Sequence, residues 1–152
     1  MTQPNYELLK DAYQIIDGIP DHLVYLDNIV SRKGDNLTCG TVCCAAGWLA
    51  HHPKFKKLGL SIGMINGDYS LKYKGIVYYQ NEYDVPMADI FGISLDDTTD
   101  LFCIRGEVKN DIWIAEVEGR ALGCLTDKEL FKRRVYYFLK ERGQLTEGGD
   151  RP

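Results

Sequence analysis

The chain of 152 residues carries a net charge of −4 and is 45% hydrophobic, which is typical of one globular domain with a single core. Its 18 Lys and Arg residues are spread along the sequence rather than massed in one segment, which argues against a nucleic-acid-binding protein. No stretch approaches the ~18 apolar residues of a membrane span, and the N-terminus lacks the basic and apolar regions of a secretion signal. We therefore expect a cytoplasmic protein with one domain over residues 1–143 and a flexible polar tail over 144–152. Neither nucleic acid nor a membrane is expected as a partner.

The N-terminal part of the chain predicts two amphipathic helices. Asn5 is a favourable N-cap, apolar residues then recur at three- and four-residue spacing, and Gly18 ends the pattern. Asp21 can cap a second helix, which the pair Lys33-Gly34 would stop.

Residues 38–48 are the least ordinary stretch, because they hold three of the five cysteines together with two glycines and a tryptophan. Thr38 is a good N-cap, and the run that follows it contains no proline, so a helix is predicted over residues 39–51. Small side chains on one face of this helix would let another backbone approach closely, beside a large indole. We expect a buried central helix whose core residues are Gly40, Cys44, Gly47 and Trp48.

The hydrophobic period then changes from helical to alternating. Residues 60–65, 68–73 and 76–79 are short β-prone runs joined by Asn66-Gly67 and Lys74-Gly75. Asn-Gly favours a type I′ turn, in which both central residues need a positive φ. The sequence therefore predicts a small antiparallel meander after the central helix. One helical turn, with Phe55 and Leu58 pointing inward, is expected just before it.

Helical spacing returns in the C-terminal half. A helix is predicted from Asp84 to a stop at Gly92, and Ser94 opens another through a capping box. Residues 112–117 fit a strand or a helix, and their helical surroundings favour the helix. Thr126 opens the last helix, and Gly143 ends it. The inward face of that helix is Leu130, Phe131, Arg134, Val135, Phe138 and Leu139. The predicted fold class is α+β, mostly helical, with the meander inserted after the central helix.

The central stretch carries the pattern Cys-Gly-Thr-x-x-Cys-x-x-Gly-Trp, made by Cys39-Gly40-Thr41, Cys44 and Gly47-Trp48. With the later Ile90-Phe91-Gly92 and Leu101-Phe102, it resembles a pattern of small uncharacterised proteins of tailed phages and bacteria. The resemblance covers residues 37–102 and the C-terminal helix. It implies a related fold and a phage setting, and it implies no catalytic residue. Cys43 stands where that pattern usually has a small apolar residue.

Cys39 is the candidate for cysteine chemistry. At the first turn of the predicted helix, its thiolate would be favoured by the unpaired backbone N–H groups. His51 and His52 would lie on the order of 18 Å away at 1.5 Å per residue, so neither could act as its base. Only His22 could reach it, through tertiary folding. Packing is therefore favoured over catalysis, and the spacing of these residues with Cys43 and Cys44 does not suit a zinc ion. No metal and no cofactor are expected.

Tyrosines concentrate in the predicted meander and its exit. Because side chains alternate between the faces of a strand, some of them must point outward. Tyrosine beside lysine is typical of an adaptable binding surface, and a hairpin packed on the helices is the equally weighted alternative. The candidate binding residues are Tyr69, Lys72, Tyr73, Lys74, Tyr78 and Tyr79, with Tyr83 at the exit.

The function hypothesis is a phage-type interaction protein that binds a host or phage protein and inhibits a host defence system. It rests on the tyrosine-rich meander, on the resemblance and on the lack of a recognisable catalytic motif. The first alternative is a cysteine-dependent enzyme that uses Cys39. The second is a module that sequesters a small molecule in a pocket beside Trp48.

Overall fold

The computed structural model describes residues 3–24, 26, 44–79, 82–103 and 109–145. Within these ranges the chain forms seven α-helices and one antiparallel sheet of three strands, so the predicted α+β class is confirmed. In chain order the elements are α1 (Tyr6–Asp17), α2 (Ala45–His51), α3 (Pro53–Lys57), β1 (Leu60–Ile65), β2 (Asp68–Tyr73), β3 (Ile76–Tyr78), α4 (Asp84–Phe91), α5 (Leu95–Phe102), α6 (Lys109–Glu118) and α7 (Asp127–Glu141).

The sheet is the predicted meander, with strand order β1-β2-β3. Both turns have two residues of positive φ: 52° and 83° at Asn66 and Gly67, and 49° and 82° at Lys74 and Gly75. This is the backbone of a type I′ turn, whose twist matches that of the flanking strands. β1 and β2 have the predicted limits, and β3 stops one residue earlier than predicted. The inner face buries Leu60, Leu71 and Tyr73, and the sheet packs on α2 and α3.

Side-chain caps begin the helices where the sequence predicts. The Oδ1 atom of Asn5 accepts from the N–H of Leu8 at 3.0 Å. Ser94 caps α5 and Thr126 caps α7 through their hydroxyl oxygens, at 3.0 and 3.1 Å. α4 ends at Gly92, which has a φ of 66°. The ambiguous stretch around residues 112–117 is part of a helix, α6.

The start of the central helix differs from the prediction. α2 begins at Ala45, and Cys44 before it has an extended backbone with a ψ of 171°. The Sγ atom of Cys44 accepts the N–H of Gly47 at 3.3 Å, so this thiol caps the helix. One continuous helix over residues 39–51 is therefore wrong, although α2 itself is buried as predicted. Thr38, the predicted cap, lies outside the described residues.

The prediction that a second helix begins after Asp21 is also wrong. Asp21–Leu23 form a single 3-10 turn after Pro20, and Val24 has extended backbone angles of −104° and 118°. The carbonyl of Leu23 accepts the indole N–H of Trp48 at 2.7 Å, so a tertiary hydrogen bond satisfies this acceptor. The rest of that predicted helix, residues 27–33, lies outside the described residues.

Four phenylalanines from four helices form a continuous aromatic row through the core. Ring centroids lie 5.8 Å apart between Phe55 and Phe91, 5.7 Å between Phe91 and Phe102, and 5.5 Å between Phe102 and Phe131. These residues belong to α3, α4, α5 and α7, and all are buried. The row therefore links the helix beside the sheet to the C-terminal helix.

A buried ion pair joins α5, α6 and α7. The guanidinium of Arg134 donates from Nε and NH2 to the two oxygens of Asp111, each at 2.7 Å, and both side chains are fully buried. Its NH1 group also donates to the carbonyls of Leu101 and Cys103, at 3.2 and 2.7 Å. The planar guanidinium thus provides donors for two carbonyls at the end of α5 and neutralises a carboxylate on α6.

At the C-terminus, the chain still contacts the core after Gly143. The N–H of Gln144 donates to the carbonyl of Leu139 at 2.9 Å, and Leu145 packs against the core. The remainder of the predicted tail, residues 146–152, lies outside the described residues.

Candidate protein-interaction surfaces

The tyrosines of the meander do not form one surface. Tyr73 is only 7% exposed, and its hydroxyl donates to Asp89 at 2.6 Å. Burial, followed by this carboxylate, raises the pKa of Tyr73, which keeps the donor protonated. Tyr78 is half-buried against the core, Tyr69 is half-buried, and Tyr79 is exposed. Tyr73, named above as a binding residue, is therefore a core residue.

The exit tyrosine, Tyr83, is also packed against the core. Burial is the main cause that raises its pKa well above the usual range. Its role in the described fold is packing beneath α4.

The two lysines among the candidate binding residues, Lys72 and Lys74, are both exposed. Lys72 points away from the core, because Leu71 and Tyr73 on either side of it are buried and side chains alternate along β2. The N–H of Lys74 donates to the carbonyl of Gly59 at 3.0 Å, which joins the β2–β3 turn to the α3–β1 junction. Gly59 has a φ of 98°, and a Cβ there would lie 3.2 Å from the Cγ atom of Lys74. Glycine therefore allows the two segments to meet.

Two large apolar side chains next to these segments are exposed. Leu58 is 42% and Ile76 is 58% exposed. The prediction that Leu58 points inward is wrong, because the chain turns at Gly59 and leaves this side chain at the rim.

A second surface lies on α6 and α7, and sequence reasoning missed it. We call it the aromatic patch: Ile112, Trp113, Val117, Arg133, Tyr136 and Tyr137. Ile112 and Val117 are more than half exposed, and Trp113 is 39% exposed. The Trp113 ring stands edge-on to Tyr137 at 5.1 Å, and Tyr136 stands edge-on to Tyr137 at 5.0 Å.

The signal for the aromatic patch is present in the sequence of α6. Asp111 and Ile114 are buried, so the helix already has an inward face. Ile112, Trp113 and Val117 fall on other positions around the same helix. A helix that is apolar on more than its core face usually contacts something on the second face as well.

Beside the aromatic patch is a groove of about 520 Å³, lined by Tyr13, Glu118, Glu129, Lys132, Arg133, Tyr136 and Tyr137. Its charges are paired within the protein: Arg133 Nε lies 3.2 Å from Glu118 Oε2, and the hydroxyl of Tyr137 donates to the same oxygen at 2.9 Å. Burial and then this carboxylate raise the pKa of Tyr137 to about 12, so the hydroxyl remains a donor at neutral pH. The groove thus gives the patch a polar rim.

The cysteines that the structure describes have structural surroundings. Burial raises the pKa of Cys44 to about 11, against the opposing effect of the Gly47 N–H, so the thiol is protonated at neutral pH. Cys103 is buried, whereas Cys124 is exposed. Cys39, the candidate nucleophile, lies outside the described residues.

Of the four predicted core residues, the structure describes three. Cys44 and Gly47 are buried, as predicted. Trp48 is half-buried and packs against the core, with its indole N–H on the carbonyl of Leu23. Gly40 lies outside the described residues.

The described residues contain neither a group of metal ligands nor a membrane-spanning helix. No three His, Cys, Asp or Glu side chains in the described ranges converge as the ligands of a metal ion would. Of the helices in the same ranges, none combines the length and the apolarity needed to cross a bilayer. Comparisons with protein-family models, curated proteins and solved structures found no significant match.

Proposed function

We propose that this protein is a phage-type interaction protein that binds a host or phage protein and thereby inhibits a host system. The observation that carries the proposal is the aromatic patch on α6 and α7. Three large apolar side chains of one helix, Ile112, Trp113 and Val117, are exposed there, and Trp113 contacts Tyr137, which in turn contacts Tyr136.

The residue types of this patch are those that contribute most to protein association. Trp, Tyr and Arg are enriched at hot spots, where truncation to Ala costs about 2 kcal/mol or more. Trp113 is already held in place by its edge-on contact with Tyr137, so little side-chain entropy is lost when a partner covers it. The polar groove next to it supplies a rim that can stay hydrated.

The phage setting rests on the resemblance of the Cys39 to Trp48 pattern to small phage proteins. A small phage protein that carries a binding surface can inhibit a host protein by covering a surface that the host protein needs for its own function. In this proposal the cytoplasm of the infected cell is where the partner is met, and the patch, rather than a catalytic group, performs the function.

Affinity purification of the tagged protein from host cells tests the proposal. Trp113→Ala removes an indole that is 39% exposed and should keep the fold, since the lost edge-on contact with Tyr137 is worth about 0.5–1.5 kcal/mol. We expect a stoichiometric partner with the parent protein and its loss with Trp113→Ala. Tyr79→Ala is the matched control, because Tyr79 is an exposed aromatic residue of the meander, and this variant should retain the partner.

Thermal unfolding of both variants checks that each is folded at the temperature of the purification. Retention of the partner by folded Trp113→Ala, or its loss with Tyr79→Ala alone, would remove the aromatic patch from the function. The absence of any partner across several hosts would count against an interaction protein altogether.

A further inference from the structure

Glu116 lies on the face of α6 that carries the apolar side chains of the aromatic patch. Successive residues of an α-helix are about 100° apart around its axis, so Glu116 projects between Ile112, about 40° away, and Trp113, about 60° away on the other side. All three side chains are exposed. Asp111 and Ile114, which are fully buried, fall on the opposite side of the helix. The carboxylate is therefore flanked by the apolar groups of the patch.

The negative charge of Glu116 is not neutralised by the described part of the chain. In the neighbouring groove, Arg133 Nε lies 3.2 Å from Glu118, and Lys132 Nζ lies 2.5 Å from Asp17. Glu116, in contrast, is exposed and forms no ion pair with a described residue. A partner at this surface thus meets cations that already have carboxylates, and one carboxylate that has no cation.

This carboxylate restricts which protein surfaces can cover the patch. A partner that covers Ile112 and Trp113 also removes Glu116 from water, and an ionised carboxylate without a partner is costly to bury. A purely apolar surface is therefore disfavoured, whereas a surface that brings a cation to Glu116 offsets the cost. Arginine suits the position best, because its guanidinium can pair with a carboxylate in bidentate fashion and stack on an indole ring.

We infer that the aromatic patch binds a segment of a partner protein in which a basic residue lies among apolar residues and pairs with Glu116. The inference rests on the proposed function, because it describes the partner that the aromatic patch is proposed to bind. A second copy of this chain fits less well, since a two-fold contact between patches would bring the two Glu116 side chains towards each other. A membrane fits less well, because interfacial helices combine their apolar face with Lys and Arg.

Selection from a displayed library of short random peptides tests the inference. The library is selected on the full-length protein, and peptides that also bind Trp113→Ala are discarded, so that those retained depend on the aromatic patch. We expect the retained peptides to share an Arg or Lys flanked by apolar residues. The same selection on Glu116→Lys should give Asp or Glu at the corresponding position, because reversal of the charge reverses the preference.

Fluorescence anisotropy with one retained peptide measures the contribution of Glu116. The affinity should fall about tenfold or more for Glu116→Lys, because an attraction becomes a repulsion, and less for Glu116→Gln, which only removes the attraction. Glu7→Lys is the matched control, because it makes the same change in net charge at a side chain of α1 that is 82% exposed. This control should leave the affinity within about twofold, since exposed charges are screened over about 10 Å at 0.1 M salt. Thermal unfolding checks that each variant is folded.

Equal affinity of the parent protein and Glu116→Lys for a Trp113-dependent peptide would overturn the inference and leave the proposed function standing. A selection that yields no Trp113-dependent peptide, or only peptides without a basic residue, would overturn it as well. The same holds if the parent protein sediments as a dimer and Trp113→Ala as a monomer, because the occupant would then be a second copy. Retention of the natural partner by Trp113→Ala would instead remove the proposed function, and the inference with it.

Discussion

Arg134 and Asp111 are the residues whose removal should cost the fold most. Arg134→Met would leave the Asp111 carboxylate buried without its guanidinium, and breaking such a pair from one side costs about 3–5 kcal/mol. We expect a loss of this size in the free energy of unfolding, measured by urea denaturation. The reason is the uncompensated charge, since methionine fills a similar volume.

Two further variants separate this explanation from a loss of packing. Arg134→Met combined with Asp111→Leu should recover part of the loss, because the buried carboxylate is removed, although the carbonyls of Leu101 and Cys103 still lack the donor that Arg134 gives them. Arg120→Met breaks the exposed pair with Glu129, 3.6 Å long, and should cost about 0–1 kcal/mol. If the double variant is no more stable than Arg134→Met, the role assigned to the ion pair is wrong.

The periodicity of α7 predicts that Arg134 lies on the inward face, but it does not identify the residue with which Arg134 pairs. Asp111 directly precedes residues 112–117, whose period fits a strand or a helix, so the sequence does not predict the direction of its side chain. The same limit of sequence-based prediction applies to Tyr73. Alternation places it on one face of β2, but only its contact with Asp89 on α4 shows that this face is covered.

The β1–β2 hairpin is the element most strongly specified by local chemistry. Gly67 has a φ of 83°, and a Cβ there would meet nothing within 4 Å, so the cost of Gly67→Ala is conformational and not steric. We expect a loss of about 1–2 kcal/mol in the free energy of unfolding, the cost of the left-handed region for a residue with a Cβ.

Gly123→Ala provides the matched control for the hairpin. A Cβ at Gly123 also meets nothing within 4 Å, and its φ is not in the left-handed range. This variant should unfold within about 0.5 kcal/mol of the parent protein. Similar losses for the two variants would show that the positive φ at Gly67 is not the cause of its loss. The turn argument would then fail.

The elements that the sequence predicted well have signals within a few residues of each other. Asn5, Ser94 and Thr126 cap helices through their own side chains, and Asn66-Gly67 makes its turn without outside help. The start of α2 lacks such a signal, because the sulfur of Cys44 acts as a cap where an oxygen is usual. The 3-10 turn at Asp21–Leu23 is followed by a hydrogen bond between the Leu23 carbonyl and Trp48, which lies 25 residues along the chain.

At the scale of the molecule, the aromatic row of Phe55, Phe91, Phe102 and Phe131 connects the region of the sheet to α7. No pattern in the sequence predicts this row, because its members come from four helices and meet only after folding. α7 also carries Tyr136 and Tyr137 of the aromatic patch. The row therefore connects the helix beside the sheet to the helix that carries these tyrosines.

Phe91→Ala tests whether the row makes the sheet and the C-terminal helices one cooperative unit. Phe91 is fully buried in the middle of the row, and truncation of such a residue costs about 3–5 kcal/mol. If the core is shared, native-state hydrogen exchange should show the same loss for slowly exchanging amides of β2 and of α7, and unfolding should remain a single transition. Met64→Ala, at a side chain that is 55% exposed, should change neither. A loss of protection confined to β2 would mean that the meander unfolds by itself, and that the row does not couple it to α7.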